Sequence, residues 1–319
     1  HIFNATSGEL LHDTVVGTNR VTQLTPIAGS PTDLLVTIYE GCDSVSNCQH
    51  RLWRYNVPNA TVVWENIYNS TYPDHTGAVS PEVIMQAFSR AEGGIEPSIK
   101  GLVTATGEEL WSVNTTLKVQ GGGTFLPSNE QAVFSGSGGR LMTLNAENGS
   151  IVDEYTAPNP CFTEDPPFQE GSDVEISDNE SACNNLFQRP LVTADNFLYI
   201  VEDVFGLSQF DANDLAAGPI WTNAFANQSS LQQSRATPVQ VGDVIYAAAW
   251  QQIGAVSANG TTVWVEDLVD LAQQDGVQVG GGGGNTGTVN FVYSLAKSTL
   301  QSNRAATGGK YCTNNDINA

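Results

Sequence analysis

Positive charge is the scarcest property of this sequence. Its 319 residues hold 12 Lys and Arg against 34 Asp and Glu, a formal net charge of −22. That balance excludes a basic face for a phosphate backbone and disfavours attraction to anionic lipid headgroups. Charged residues of both signs reach only 14%, against ~25% in an average soluble domain. With 40% hydrophobic residues, the chain is not a disordered polyelectrolyte, which needs high charge and few apolar groups. Long apolar runs are missing too. The longest, such as Val244–Trp250, fall far short of the ~20 residues a spanning helix needs, so no membrane insertion is expected. Neither a Gly-x-Ser-x-Gly elbow nor a zinc-ligand spacing occurs, so neither chemistry gains support. Paired carboxylates for glycoside hydrolysis depend on spatial approach and leave no sequence signature.

What is present points to the outside of the cell. The first residue is His1 and no signal-peptide pattern follows it, as expected of a chain whose leader has been removed. Asn-x-Ser/Thr sequons, candidate N-glycosylation sites, occur at Asn4, Asn59, Asn69, Asn114, Asn148, Asn179, Asn227 and Asn259. Composition alone would give about four or five. Cys42 and Cys48 flank a short loop and Cys161 and Cys183 a longer one. Both spacings suit local disulfides in an oxidising compartment, each stabilising by roughly 2–4 kcal/mol. Cys312 is left over, as a free thiol or a contact with another chain. These features predict a secreted, extracellular, N-glycosylated protein.

The chain is repetitive. Short apolar segments with an aromatic residue recur, and Tyr39, Phe88, Phe134, Tyr199, Tyr246 and Tyr293 are spaced 49, 46, 65, 47 and 47 apart. The long interval contains the Cys161–Cys183 loop, an insertion of about 18 residues. Turn-rich lead-ins precede each segment: Gly29-Ser30-Pro31, Ser80-Pro81, Gly121–Gly123, Arg189-Pro190, Thr237-Pro238 and Gly280–Gly284. A second element follows, clearest as Ala105-Thr106-Gly107-Glu108-Glu109-Leu110-Trp111 and Ala258-Asn259-Gly260-Thr261-Thr262-Val263-Trp264. It reads as a hairpin turn and a strand whose aromatic wedges between sheets. Weaker copies end at Trp64, Val152 and Trp221. Helical periodicity is confined to Val265–Gln274. A period of 40–50 residues with about four strands each is a β-propeller signature.

The expected fold is all-β: a six-bladed β-propeller of four-stranded antiparallel blades over residues 1–302, with 303–319 as a C-terminal tail. The sixth blade is incomplete after Tyr293, holding Val289–Leu295 and Ser298–Ser302. The N-terminal segment 1–17, in which Ile2–Asp13 resembles Leu144–Asp153, is half a blade without a first half. Pairing the two ends would close the ring and remove both sheet edges. Alternatively, Ala306–Tyr311 completes the last blade and the N-terminal segment pairs with another subunit.

The Ala-x-Gly-x-x-x-Trp element, matched by Ala105, Gly107 and Trp111 and by Ala258, Gly260 and Trp264, resembles the repeat of quinoprotein-like (pyrroloquinoline-quinone-type) β-propellers. Trp64 and Trp221 match the Trp alone, and Val152 and Leu11 replace it. The resemblance covers about residues 2–302 and implies that each Trp docks its blade onto the next. Many members of that superfamily are non-enzymatic scaffolds. Its enzymes hold the quinone by a ring of adjacent cysteines or by basic and aromatic contacts, many with calcium. This chain has no adjacent Cys pair, and no residue matches a quinone-binding position.

Cofactor chemistry is otherwise sparse. The Cys161–Cys183 loop holds Glu164, Asp165, Glu170, Asp173, Glu175, Asp178 and Glu180 and no base. Such oxygen-rich loops can bind calcium; without an Asp-x-Asp-x-Asp-Gly spacing it reads first as a solvated surface loop. His1, with His12, His50 or His75, is the one arrangement suited to copper, and its plainer reading is a solvated terminus. Glycine runs lack the following Lys-Ser/Thr of a phosphate loop and read as sites of close backbone approach. No cofactor and no catalytic residue is predicted. The expected role is an extracellular structural or interaction module, a subunit of a surface or filamentous assembly in contact with copies of itself or other extracellular proteins. The alternatives are a quinoprotein-like oxidoreductase or carbohydrate-active enzyme using a central channel, and a propeller that binds glycans or peptides.

Overall fold

The computed structural model describes residues 2–3, 9–12, 20–40, 49–69, 77–88, 97–115, 117, 119–136, 139–158, 188–202, 206–224, 237–249 and 252–267. All lie in one compact unit, His1–Leu268; the second unit, Val269–Ala319, lies outside them. So do all five cysteines, Asn4, Asn179, Asn227 and the expected sixth-blade strands.

Among the described residues twenty-two strands follow one another in chain order. They are β1 (Ile2–Phe3), β2 (Leu10–His12), β3 (Arg20–Ile27), β4 (Ser30–Glu40), β5 (Gln49–Asn56), β6 (Thr61–Asn69), β7 (Ala78–Val79) and β8 (Val83–Phe88). Then come β9 (Ser98–Val103), β10 (Glu109–Asn114), β11 (Val119–Phe125), β12 (Gln131–Gly136), β13 (Arg140–Asn145), β14 (Ile151–Thr156) and β15 (Leu191–Val192). The last are β16 (Phe197–Glu202), β17 (Gly206–Asp211), β18 (Trp221–Asn223), β19 (Val239–Val241), β20 (Val244–Ala249), β21 (Gln252–Ser257) and β22 (Thr262–Asp267). Among the described residues there is no α-helix, and a 3-10 turn spans Leu215–Ala217.

The strands form five four-stranded antiparallel meanders, β3–β6, β7–β10, β11–β14, β15–β18 and β19–β22, and a separate pair, β1–β2. We call the meanders blades 1 to 5. Up-and-down order follows from the short turn between each pair of strands.

Inner strands are buried on both faces, as the runs Val83–Phe88 and Arg140–Asn145 show. Side chains alternate between faces along a strand, so such a sheet must be covered on both sides. Neighbouring blades supply the cover. Leu35, Leu52 and Tyr68 of blade 1 meet Ile84, Phe88 and Leu102 of blade 2. Met85 and Ile99 on the opposite face of blade 2 meet Phe134, Met142 and Leu144 of blade 3. Val133 and Leu141 of blade 3 pack on Leu198, Ile200 and Phe210 of blade 4. Tyr199, Val201 and Leu207 of blade 4 pack on Ile245 and Val256 of blade 5. The core is thus a set of sandwiches between consecutive sheets. The first strands of neighbouring blades approach one another, β3 with β7, β7 with β11 and β11 with β15.

Register refines the repeat. Leu35, Met85, Val133, Tyr199 and Tyr246 pair with Arg54, Gly101, Thr143, Gln209 and Ala255 of their third strands, which pair with residues 64, 111, 153, 221 and 264 of the fourth. The period of about 47 residues with one insertion therefore stands. Only Tyr199 and Tyr246 of the recurrent aromatics hold equivalent positions; Tyr39, Phe88 and Phe134 are offset by one to four residues. An apolar strand accepts any large side chain at several positions, so its aromatics carry the period and not the phase. Gly121–Gly123 belong to strand β11 rather than to a turn, and Val265–Asp267 belong to β22 rather than to a helical stretch.

The same pairing corrects two assignments. Asp153, not Val152, stands where the other blades have Trp. In the N-terminal pair, Ile2 opposes His12 and Phe3 opposes Leu10, with the bulge seen between β13 and β14. His12, not Leu11, therefore holds the Trp position, and β1–β2 has the register of the third and fourth strands of a blade.

Two turn glycines carry a testable consequence. Gly149 has φ +72° and a Cβ there would lie 2.5 Å from the Trp111 ring; Gly260 has φ +85° and a Cβ would lie 2.8 Å from Trp221. Gly149→Ala and Gly260→Ala are each expected to cost roughly 2–4 kcal/mol, from backbone strain plus overpacking. Gly242 also has a positive φ, +59°, but faces nothing within 4 Å, so Gly242→Ala is expected to cost about 1 kcal/mol. Urea unfolding midpoints check the contrast.

Candidate functional site

The chain's functional surface begins at the turn between the third and fourth strand of each blade, because that turn receives the preceding blade. The Trp64 indole N–H of blade 1 donates to the Thr104 carbonyl of blade 2 at 3.0 Å. Trp111 of blade 2 donates to the Ala146 carbonyl of blade 3 at 2.9 Å. Trp221 of blade 4 donates to the Ala258 carbonyl of blade 5 at 3.2 Å. In each case the ring lies on the turn glycine, Gly107, Gly149 or Gly260. Two residues past the Trp, Asn66 and Asn223 donate from Nδ2 to the Gly107 and Gly260 carbonyls, both at 2.7 Å.

Blade 3 solves the same problem differently. Asp153 Oδ2 accepts from the backbone N–H groups of Leu215 at 2.5 Å and Ala216 at 3.2 Å. Those are the free donors at the start of the 3-10 turn that replaces the glycine turn in blade 4. Tyr155, two residues on, stacks edge-on against Phe210 at 4.8 Å. Burial, assisted by the charge of Glu202, pushes its hydroxyl pKa up.

Blade 1 adds a charged link. Asp33 is 4% exposed and accepts from Arg54 Nε at 2.8 Å and Nη2 at 2.5 Å, and from Asn56 at 2.7 Å. Arg54 Nη1 reaches the same Thr104 carbonyl that Trp64 uses. Burial works to raise the Asp33 carboxyl, and the hydrogen bonds from Arg54 and Asn56 outweigh it, so the net shift is downward.

Polar groups also meet within blade 4. Ser208 donates to the buried Glu202 and lies 3.0 Å from Thr222. Gln209 donates to the Tyr199 hydroxyl at 2.6 Å. Ser208 and Glu202 are 0% and 1% exposed, so no substrate reaches that hydroxyl and the pair is structural. Arg189 Nε donates to Thr124 at 3.1 Å, joining the first strands of blades 4 and 3, and burial lowers its hold on the proton. Among the described residues no group of three or more His, Cys, Asp or Glu is placed to hold a metal.

The sequons fall at the sheet margin. Asn59, Asn148 and Asn259 are exposed in the third-to-fourth-strand turns of blades 1, 3 and 5, and Asn114 is exposed at the end of β10. Asn69 ends β6. Asn148 Oδ1 accepts from the Ser150 N–H at 2.9 Å and Asn259 Oδ1 from the Thr261 N–H at 3.2 Å. Those bonds hold the amide oxygen toward the turn. The histidines, the cysteine loops and Cys312 are not brought together by any described contact.

Comparison with known proteins agrees with this geometry. Residues 96–217 match the family model described as outer membrane protein assembly factor BamB. No curated protein sequence matches the chain. Among solved structures, BamB from Moraxella catarrhalis aligns with a TM-score of 0.53 at 14% identity, over 78% of this chain and 68% of that one. Quinohemoprotein alcohol dehydrogenase from Comamonas testosteroni aligns with a TM-score of 0.50 at 12% identity, over 74% of this chain and 42% of that one. The fold is that of the PQQ-repeat β-propellers. This chain spans about two fifths of the dehydrogenase, and the likeness at these identities is one of fold.

Sequence reading missed Asp153, Asn66 and Asn223. The signals were present. Asp153 follows Gly149 by four residues, as Trp111 follows Gly107, and Trp-x-Asn occurs at both Trp64 and Trp221.

Two outcomes follow. Asp153→Ala is expected to cost about 1–2 kcal/mol by freeing two backbone donors, and Asp153→Asn less than half of that, read from denaturant midpoints. Asp33 has a lowered folded-state pKa, so its stabilisation is complete above its unfolded value of 3.8 and is lost as pH falls through the folded value. Between pH 5 and pH 2.5 the Tm of Asp33→Asn is expected to fall less than that of the native protein.

Proposed function

We propose that this protein is a secreted, N-glycosylated β-propeller serving as an extracellular structural or interaction module, and that it is a subunit of a surface or filamentous assembly. The observation that carries the reading is the placement of sequon asparagines. The four whose side chains are described all stand exposed, in turns or at strand ends on the margin of the sheets. A chain that docks its blades through interlocked turns presents a stiff frame, which suits a scaffold. The family model matched by residues 96–217 is described as an outer membrane protein assembly factor, a non-enzymatic role on this fold. Cys312, left over from the two local pairings, is the contact assigned to a neighbouring chain. Calcium is the candidate ligand of the acidic stretch between Cys161 and Cys183. Quinone and sugar chemistry are the rival outcomes.

Native mass spectrometry of unreduced protein from its source tests the reading. A glycosylated multimer that dissociates on reduction, with no small-molecule adduct, is expected. A monomer carrying a quinone-sized adduct overturns it.

A further inference from the structure

The sequons keep to one strand of the repeat. Asn4 lies between β1 and β2, Asn59 between β5 and β6, Asn148 between β13 and β14, and Asn259 between β21 and β22. Asn69 and Asn114 are the last residues of β6 and β10, and Asn227 follows the end of β18 by four residues. Seven of the eight sequons thus flank a fourth strand or, in β2, its register equivalent. Each of β6, β10, β14 and β22 has one within three residues of an end, while Asn4 precedes β2 by six residues and Asn227 follows β18 by four. The eighth, Asn179, lies in the acidic insertion.

That strand is a vulnerable one. It is one edge of its sheet, the first strand being the other, with one row of backbone N–H and C=O groups turned away from the ladder. It is also apolar where it faces water. Val62, Val63 and Ile67 of β6, Leu110 of β10, Ile151 and Val152 of β14 and Val263 of β22 are 42–56% exposed. Every one of these lies within four residues of a sequon asparagine. Lysine does not do the blocking: the chain has four Lys, and the one described near these edges, Lys100, is engaged with Glu109 at 2.8 Å.

We infer that the N-linked glycans are edge caps: one oligosaccharide beside each fourth strand covers the exposed aliphatics and keeps the edge from pairing with a strand of another copy. The occupant of the apolar margin is therefore this chain's own carbohydrate. Any assembly contact is made by the loops at the strand ends that lack sequons and not edge to edge. The inference rests on the glycosylation proposed above.

Glycopeptide mapping of the secreted protein comes first, and occupancy at Asn59, Asn69, Asn114, Asn148 and Asn259 is expected. Vacant sites would overturn the inference together with the glycosylation reading. The folded glycoprotein is then trimmed with a peptide-N-glycosidase, at an ionic strength that screens the aspartates it leaves, and run on sedimentation-velocity and thioflavin-binding assays under reducing conditions. Trimming is expected to shift the monomer to larger species with raised thioflavin signal. Val63→Thr, Val152→Thr and Val263→Thr together are expected to abolish that shift. Occupied sites whose trimming leaves sedimentation unchanged would overturn edge capping alone and leave glycosylation standing.

Discussion

The dock between a fourth-strand side chain and the next blade's turn is the interaction on which the rest of this structure depends. A four-stranded sheet with two apolar faces cannot stand alone, and each blade here is stable only between its neighbours. The sandwich cores supply most of the energy, since burying one aromatic removes ~150–250 Å² from water. Hydrophobic burial is non-directional, however, and does not set the angle or offset between sheets. The indole N–H to carbonyl bond does, because it is met at one ring position only. At Trp64, Trp111 and Trp221 the ring also lies over a glycine that no other residue could replace without displacing it.

Blade 3 shows that the constraint is geometric and not tied to one residue type. There the indole is absent, and so is the glycine turn it would need. An Asp takes the place of the Trp, and the receiving turn becomes a short 3-10 segment whose leading N–H groups face the carboxylate. Donor and acceptor have exchanged sides across the interface: the side chain accepts and the backbone donates. The apolar part of the contact moves to Tyr155 and Phe210. The two changes are intelligible only as a pair. A Trp facing Leu215–Ala217 would set its own N–H against the leading N–H groups of that turn, and an Asp facing a glycine turn would bury charge against a carbonyl.

How much of this could be read beforehand depends on the physical source of each signal. The period and the propeller fold were legible, because every blade must repeat the same apolar strands and the same turn. Trp111 with Gly107 and Trp264 with Gly260 showed the wedge directly. The phase of the repeat was hidden, since Phe134 and Val133 serve equally well in a strand covered on both faces. Asp153 was read past for a chemical reason: a search for large apolar wedges favours Val152, which in fact points to water, 49% exposed. The buried polar links Asp33–Arg54 and Glu202–Ser208 join residues separated by 21 and 6 positions, and nothing local marks them. The sequons were visible singly, but their common attachment to the fourth strand appears only when the strand boundaries are drawn.

The scarcity of basic residues takes on meaning in the same frame. Arg51 pairs with Glu65, Lys100 with Glu109 and Arg140 with Glu154, each from a third strand to the fourth strand of its own blade. Arg54 pairs with Asp33 across the second and third. Exposed pairs of this kind contribute only about 0.2–1 kcal/mol each. Their larger effect is on register, because a one-residue slip of the edge strand would turn the paired acid to the opposite face of the sheet. The bases thus serve to seat the edge strands, and the uncompensated acids remain as a general negative field. Such a field is screened beyond a Debye length of ~8 Å at physiological salt, so it acts on another copy only near contact. Long-range repulsion therefore does not keep copies apart, and the exposed aliphatics of the edge strands have to be protected at close range.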